Sequence, residues 1–267
     1  MAQQAQRLTV DPHWRRIDFI SDLHLHEADS ATFAAWRHYM ENSSADAVFI
    51  LGDLFEVWVG DDAAFEPHGA GEAPAFEATV AEVLARAARR HPLFFMAGNR
   101  DFLVGARLLD HCDVSLLWDP CILDFPAERW LLSHGDALCL DDTEYLQFRA
   151  MVRSAAWQES FLARSLAERR AIARDLRTRS ETRKASAAHW FDVDSGAARE
   201  WLRDGGARTL LHGHTHRPAQ HDLGAGLQRI VLSDWDLAAS PPRAEVLRLS
   251  IDESGSVQVQ HIAPAAA

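Results

Sequence analysis

Five times along the chain a short apolar run breaks into a Gly and a knot of Asp, Asn or His. "RRIDFISDLHL" climbs from polar residues through Ile17 to Ile20 and ends in charged and imidazole side chains. "ADAVFILGDLFE" (Ala45 to Glu56), "PLFFMAGNRDF" (Pro92 to Phe102), "RWLLSHGD" (Arg129 to Asp136) and "ARTLLHGHTH" (Ala207 to His216) repeat the pattern. Each reads as a buried strand that delivers polar side chains at its C-terminal edge. Between the runs the apolar spacing becomes helical: Phe33, Trp36 and Met40 share a face, as do Phe76, Val80, Val83 and Leu84, and Ala197, Trp201 and Leu202. The early order is therefore β-α-β-α-β. "QRIVLSDWD", "RAEVLRLSI" and "SVQVQHIA", separated by turn residues, read as consecutive strands. The expectation is an α/β fold: a β-sandwich flanked by helices, with the polar clusters gathered along one edge.

At 267 residues and 29.8 kDa, with 48% hydrophobic and 25% charged side chains, the chain suits one large domain with its own core. We place that domain at 12–262, with 1–11 and 263–267 as flexible ends. Neither end has the apolar run of a signal peptide or membrane span, which predicts a cytoplasmic protein. Cys112, Cys121 and Cys139 form no CxxC pair, so they read as core thiols rather than a disulfide or zinc framework. The formal net charge of -12 argues against nucleic acid as a partner. One segment departs from that average. Arg149 to Lys184 holds ten Lys or Arg against four Asp or Glu, a local +6 that leaves -18 for the remainder. Trp157, Phe161, Leu162, Leu166, Ile172 and Leu176 are helically spaced within it, so residues 143–190 read as a basic amphipathic helical lid, or more plainly as a solvated helical face.

The chemistry lies in the set of clusters rather than in any one of them. Asp22 and His24 are two residues apart, which on extended chain puts both on one side, and His214 and His216 repeat that spacing. Asp53, Asn99 and His134 each sit just past a strand end. Three oxygen donors and four imidazoles without a thiolate suit manganese, iron or zinc. Seven ligands exceed what one ion takes, whereas two neighbouring ions could share a carboxylate and activate a water against a phosphate ester or anhydride.

"DLH" at Asp22, "GDLFE" at Gly52, "GNRD" at Gly98, "HGD" at His134 and "GHTH" at Gly213 resemble, in order, the signature series of the calcineurin-like metallophosphoesterases. The resemblance implies that Asp22, His24 and His216 hold one metal, Asn99, His134 and His214 the other, and that Asp53 bridges. His212 then falls behind the ligands as an orienting group. The longer stretches "GDLFEVWVGDD", "GNRDFL", "HGDALCLDDTEYLQFR", "GHTHRP" and "RIVLSDW" are similar to the UDP-2,3-diacylglucosamine hydrolase family, which also carries a helical insertion after "HGD". What this implies is a step of lipid A biosynthesis: hydrolysis of UDP-2,3-diacylglucosamine to UMP and 2,3-diacylglucosamine 1-phosphate, with two divalent ions, manganese preferred, and water attack on the UMP phosphorus. Asp53, Asn99, Arg100 and His134 would be catalytic, with Arg100 placed to neutralise the diphosphate. Asn99, Arg100, Asp142, Ser180, Lys184 and His214 would touch substrate. The family's next lysine, three residues beyond Lys184, falls at Ala187 here, so the lid contacts depart from the pattern. A diacylated substrate further implies peripheral binding to the cytoplasmic face of an anionic inner membrane, and no obligate protein partner. Two rivals stand beside this reading. One is a calcineurin-like phosphodiesterase acting on another nucleotide or phosphodiester; the other is a scaffold that kept the fold and lost its metals.

Overall fold

A computed structural model describes residues 5–67, 73–126, 128–186 and 191–267, with the side chains of 179–186 outside the description. Two six-stranded sheets stack face to face. One runs β12 (Val257–Ile262), β11 (Val246–Ile251), β2 (Arg16–Ile20), β3 (Ala47–Leu51), β4 (Leu93–Met96) and β5 (Val114–Leu117). The other runs β1 (Gln6–Thr9), β6 (Cys121–Phe125), β7 (Glu128–Leu132), β8 (Thr209–His212), β10 (Leu227–Val231) and β9 (Ala219–Gly224). Strands β2 to β5 are parallel, as are β7, β8 and β10, so both sheets carry neighbouring C-terminal strand ends towards one edge.

Period-two alternation decides what each face meets. Ile17, Phe19, Ala47, Phe49 and Leu51 point between the sheets, where Phe19 stacks on Phe49 at 5.0 Å and Phe49 on Phe94 at 4.6 Å between centroids. Ile20, Val48 and Ile50 face α1 (Ser30–Asn42) and α2 (Phe76–Ala88) on the outside of the first sheet, where α3 (Ala106–Cys112) also packs. Leu131 and Leu210 face Ala198 and Leu202 of α7 (Ser195–Gly205) on the outside of the second. The result is a helix, sheet, sheet, helix stack. Asp18, inside an apolar run, is buried towards α1. It survives there because Arg248 of β11 donates to both its oxygens at 2.7 and 2.8 Å and the Tyr39 hydroxyl donates at 2.9 Å.

The helical faces read from spacing are the buried ones: Trp36 and Met40 in α1, Val80, Val83 and Leu84 in α2, Leu202 in α7. The three C-terminal segments are consecutive strands, as read, and they divide between the sheets: β10 joins the second while β11 and β12 extend the first. The ends are also structured where described: β1 pairs with β6 from Gln6 to Thr9, and the Ala267 carbonyl accepts from Ser44 N at 3.4 Å. Neither end had the apolar periodicity by which a strand or docked turn is recognised.

The basic segment folds as three helices, α4 (Thr143–Val152), α5 (Ala155–Leu162) and α6 (Leu166–Ser186). Asp142 and Ser154 cap the first two through their side-chain oxygens. Trp157, Phe161, Leu166 and Ile172 pack on the helix-side core, so the apolar face of the segment covers the body of the protein rather than water.

Candidate functional site

All seven residues singled out as ligands meet at the shared strand edge, within loops that leave β2, β3, β4, β7 and β8. The local backbone is not the extended chain that a two-residue spacing suggested. Asp22, His24, Asp53, His214 and His216 all hold φ between +48° and +68°. Asp and His tolerate this left-handed region better than bulkier residues, and each such position still costs about 1–3 kcal/mol, so the fold holds these turns against their own preference. Gly213 shows how tight the edge is, since a Cβ there would collide with Ser21 Oγ and Asp22 Oδ2.

Two nitrogen and oxygen clusters result. In the first, His24 Nε2 and His216 Nε2 face each other at 3.2 Å, and Asp22 Oδ1 lies 4.0 and 3.4 Å from them. In the second, Asn99 Oδ1 lies 3.0 Å from His134 Nε2 and 2.7 Å from His214 Nδ1. Asp53 stands between, with Oδ2 3.8 Å from His24 Nε2 and Oδ1 3.7 Å from His134 Nε2. Asp22, His24 and His216 have ligand atoms all within 4.8 Å of one another, and so do Asp22, Asp53 and His134. Asp22 thus lies within reach of His134 as well as of His24 and His216.

The donor chemistry fits cations. His134 Nδ1 faces the Leu51 carbonyl at 3.0 Å, which fixes its proton there and aims the Nε2 lone pair at two oxygen acceptors. Lone pairs that converge in this way need positive charge among them. The same surroundings favour positive charge on His134: burial works against the charged imidazole, but Asp53, Asp22 and Asp136 together lift it to about 9. Burial likewise opposes ionisation of Asp22, and His216, His134 and His24 overcome it, holding the carboxyl far below its usual range.

Several supporting residues carried no role in the sequence reading. Glu56 places Oε2 3.0 Å from His24 Nδ1 and Oε1 3.1 Å from Arg177 and 3.7 Å from Arg100. Burial disfavours its charge, yet His24, Arg100 and Arg177 bring it down to about 2. Asp101 accepts from Gly98 N at 2.8 Å, Leu54 N at 2.8 Å and Asp53 N at 3.3 Å, lashing the loops of Asp53 and Asn99 together. Burial and the Asp53 charge raise it to about 7. Both residues lie inside quoted motifs, "GDLFE" and "GNRD", but only the fold shows what they touch. His212 turns from the ligands towards Arg229, 3.3 Å away, and burial pushes it down to about 4.

Arg100 donates its backbone N–H to Asp53 Oδ1 at 2.8 Å, and its side chain enters an apolar cavity of about 340 Å³. Val57, Trp58 and Val59 form one wall, Trp157 and Phe161 of α5 with Leu176 of α6 the other, and Asn99 joins it to the nitrogen and oxygen clusters. Tyr145 of α4 lines the same cavity and stacks on His214 at 5.9 Å. Asp142 accepts from Tyr145 N at 3.0 Å at the start of that helix. Ser180 and Lys184 lie outside the residues whose side chains are described. A larger cleft, about 1250 Å³ beside Trp118 and Trp201, contains none of the seven ligands.

Comparison with known proteins agrees with this geometry. The family model described as calcineurin-like phosphoesterase matches residues 15–218. A UDP-2,3-diacylglucosamine hydrolase of Chromobacterium violaceum is 46% identical over 228 residues, 82% of this chain and 90% of the relative. Proteins of the same name from Aromatoleum aromaticum and Bordetella pertussis are 44% and 41% identical, over 81% and 87% of this chain and 88% and 90% of theirs.

Proposed function

The chain belongs to the calcineurin-like phosphoesterases and, among them, to the UDP-2,3-diacylglucosamine hydrolases, and from that membership we propose that it cleaves the pyrophosphate bond of UDP-2,3-diacylglucosamine. The products are UMP and 2,3-diacylglucosamine 1-phosphate, and the step belongs to lipid A biosynthesis. The observation that carries this reading is an adjacency. A cluster of seven metal-type ligands opens through Asn99 and Arg100 into an apolar cavity walled by the lid. A phosphodiesterase for small polar esters has no use for such a wall, whereas acyl chains need one.

Asp22, His24 and His216 would hold one ion and Asn99, His134 and His214 the other, with Asp53 offering one oxygen to each group. Two divalent ions, manganese in this reading, supply positive charge to the phosphoryl oxygens and lower the pKa of a water. The chain's own residues do the remaining work. Leu51 O and Glu56 fix the far nitrogens of His134 and His24, which sets where their lone pairs point. Arg100, drawn by Glu56 to the mouth of the cavity, meets the diphosphate and offsets the charge that accumulates as the bridging bond breaks. Tyr145, Asn99 and His214 border the sugar end, and Asp142 is the further polar contact on that side. The apolar walls take the acyl chains and exclude water from them.

No helix among the described residues is long and apolar enough to cross a membrane. Access to a bilayer-borne substrate is peripheral in this account, at the cytoplasmic face of an anionic inner membrane. Exposed Met151 and Leu162 beside the arginines of the lid support that placement. The test compares UMP release from UDP-2,3-diacylglucosamine in detergent and manganese with release from UDP-N-acetylglucosamine and with cleavage of bis(p-nitrophenyl) phosphate. Preference for the diacylated substrate, lost in Asp53→Ala, is the expected result. Cleavage of the generic diester alone would keep the metal centre and remove the lipid assignment.

A further inference from the structure

Arg169 sits near the start of α6, in the most basic segment of the chain, yet its side chain is only 3% exposed. Its Nε donates to the Arg164 carbonyl at 3.1 Å, and its Nη1 to the Val59 carbonyl at 2.5 Å and to Asp62 Oδ1 at 2.8 Å. Nη2 donates to Asp62 Oδ2, completing a two-pronged grip on that carboxylate. A buried guanidinium is tolerated only when its donors are matched in this way. The partner loop is shaped to receive it. Gly60 holds φ +128°, and a Cβ there would collide with the Arg169 guanidinium and with Leu162. Asp61 faces the other way, accepting from Trp58 Nε1 at 3.1 Å, Gly105 N at 2.9 Å and Leu108 N at 3.0 Å. The "GDD" at Gly60 to Asp62 therefore contributes nothing to the ligand cluster and has two structural grips, one on the body and one on the lid.

The placement of the second grip matters. Val59, held by Arg169, belongs to one wall of the apolar cavity, and Phe161 and Leu176, on either side of Arg169 in the lid, belong to the other. We propose that Arg169 and Asp62 form a clasp that sets the spacing of the two walls, making Arg169 a positioning residue for the acyl chains. The acyl role rests on the substrate reading given above; the clasp itself does not.

Two variants of the full chain test it. Arg169→Met keeps most of the aliphatic stem and removes the charge, and Asp62→Asn removes the negative charge while keeping the side chain's shape and one acceptor oxygen for Arg169, with the protection of β2, β3 and β4 reporting that the body stays folded. Hydrogen exchange on the metal-free proteins should show amides of 155–176 exchanging about tenfold faster or more, with β2, β3 and β4 protected as in the parent. On the manganese-loaded proteins KM for UDP-2,3-diacylglucosamine should rise about tenfold, well beyond any change in kcat or in KM for UDP-N-acetylglucosamine, and Arg169→Lys should recover part of the loss. Lid exchange at the parent rate in both variants would overturn the clasp. Equal KM changes for the two substrates would overturn its acyl role. Should the parent itself release no UMP from the diacylated substrate, the proposed function falls and the acyl role with it, and the exchange data alone then decide the clasp.

Discussion

Glu56 is the residue through which Arg177 of α6, Arg100 and His24 touch one another, so replacing it with Gln probes the whole arrangement. Its Oε2 stands 3.0 Å from His24 Nδ1, and its Oε1 3.1 Å from Arg177 Nη1. The carboxylate is nearly buried, 11% exposed, and its neighbours bring its pKa down to about 2, so it is ionised at neutral pH. An amide keeps the shape and one acceptor but gives up the charge. Glu56 meets His24 as a close charge contact rather than an aligned hydrogen bond, so what the amide gives up is attraction to the imidazole, about 1.4 kcal/mol or tenfold in affinity. Groups that orient a ligand from behind cost about 10–100-fold in metal affinity or activity when removed, which brackets the same value. Manganese titration of the purified variant, read by equilibrium dialysis against a chelator buffer, should give half-saturation at about 10–100 times the parent concentration. Glu82→Gln, a surface acid 64% exposed, should titrate as the parent does. Half-saturation of Glu56→Gln within twofold of the parent would refute the claim that this carboxylate sets the His24 lone pair.

Other outcomes follow from the same contacts. Arg248→Met leaves Asp18 buried without its cation and should lower unfolding free energy by about 3–5 kcal/mol in urea denaturation, with no change in m. Asp101→Asn cannot accept from Gly98, Leu54 and Asp53 together, so a buried N–H is left open at about 1–3 kcal/mol, and metal content should fall alongside the melting temperature. Burial pushes the thiols of Cys112, Cys121 and Cys139 up to about 12, above the value of an unfolded thiol. A thiol raised on folding adds stability below its unfolded pKa and loses it as pH climbs, so unfolding free energy should decline from about pH 9 upward. In the same native range a chromogenic disulfide should react with none of the three until denaturant is added.

The convergence of the seven residues was legible in sequence because each strand end spells its own short motif, and five such ends in order leave little freedom in how they assemble. The strand cores and the buried faces of α1, α2 and α7 were legible for a related reason: period two and period 3.6 need only local sequence. What stayed hidden depended on partners far along the chain. Asp18 looked like an interruption in an apolar run until Arg248, 230 residues away, supplied its counter-charge. Glu56 and Asp101 sat in plain view within "GDLFE" and "GNRD", yet nothing local says that one grips His24 and the other braces two loops. The left-handed turns at Asp22, His24, His214 and His216 also escaped, because a two-residue spacing is shared by extended chain and by such turns. β1 lacked any signal, being a four-residue edge strand held by pairing with β6. The basic, amphipathic character of the segment that forms α4 to α6 was legible, and its use of Arg169 as an inward-facing group was not.

In the proposed reaction this edge hydrolyses the pyrophosphate bond of a UDP-linked diacyl sugar by water attack on the UMP phosphorus. Turnover of UDP-2,3-diacylglucosamine in ¹⁸O-enriched water, with both products weighed by mass spectrometry, tests it most directly. The expected result is one heavy oxygen in UMP, none in 2,3-diacylglucosamine 1-phosphate, and no products from Asp53→Ala. Label in the lipid product instead, or no UMP at all from the metal-loaded parent, would contradict it.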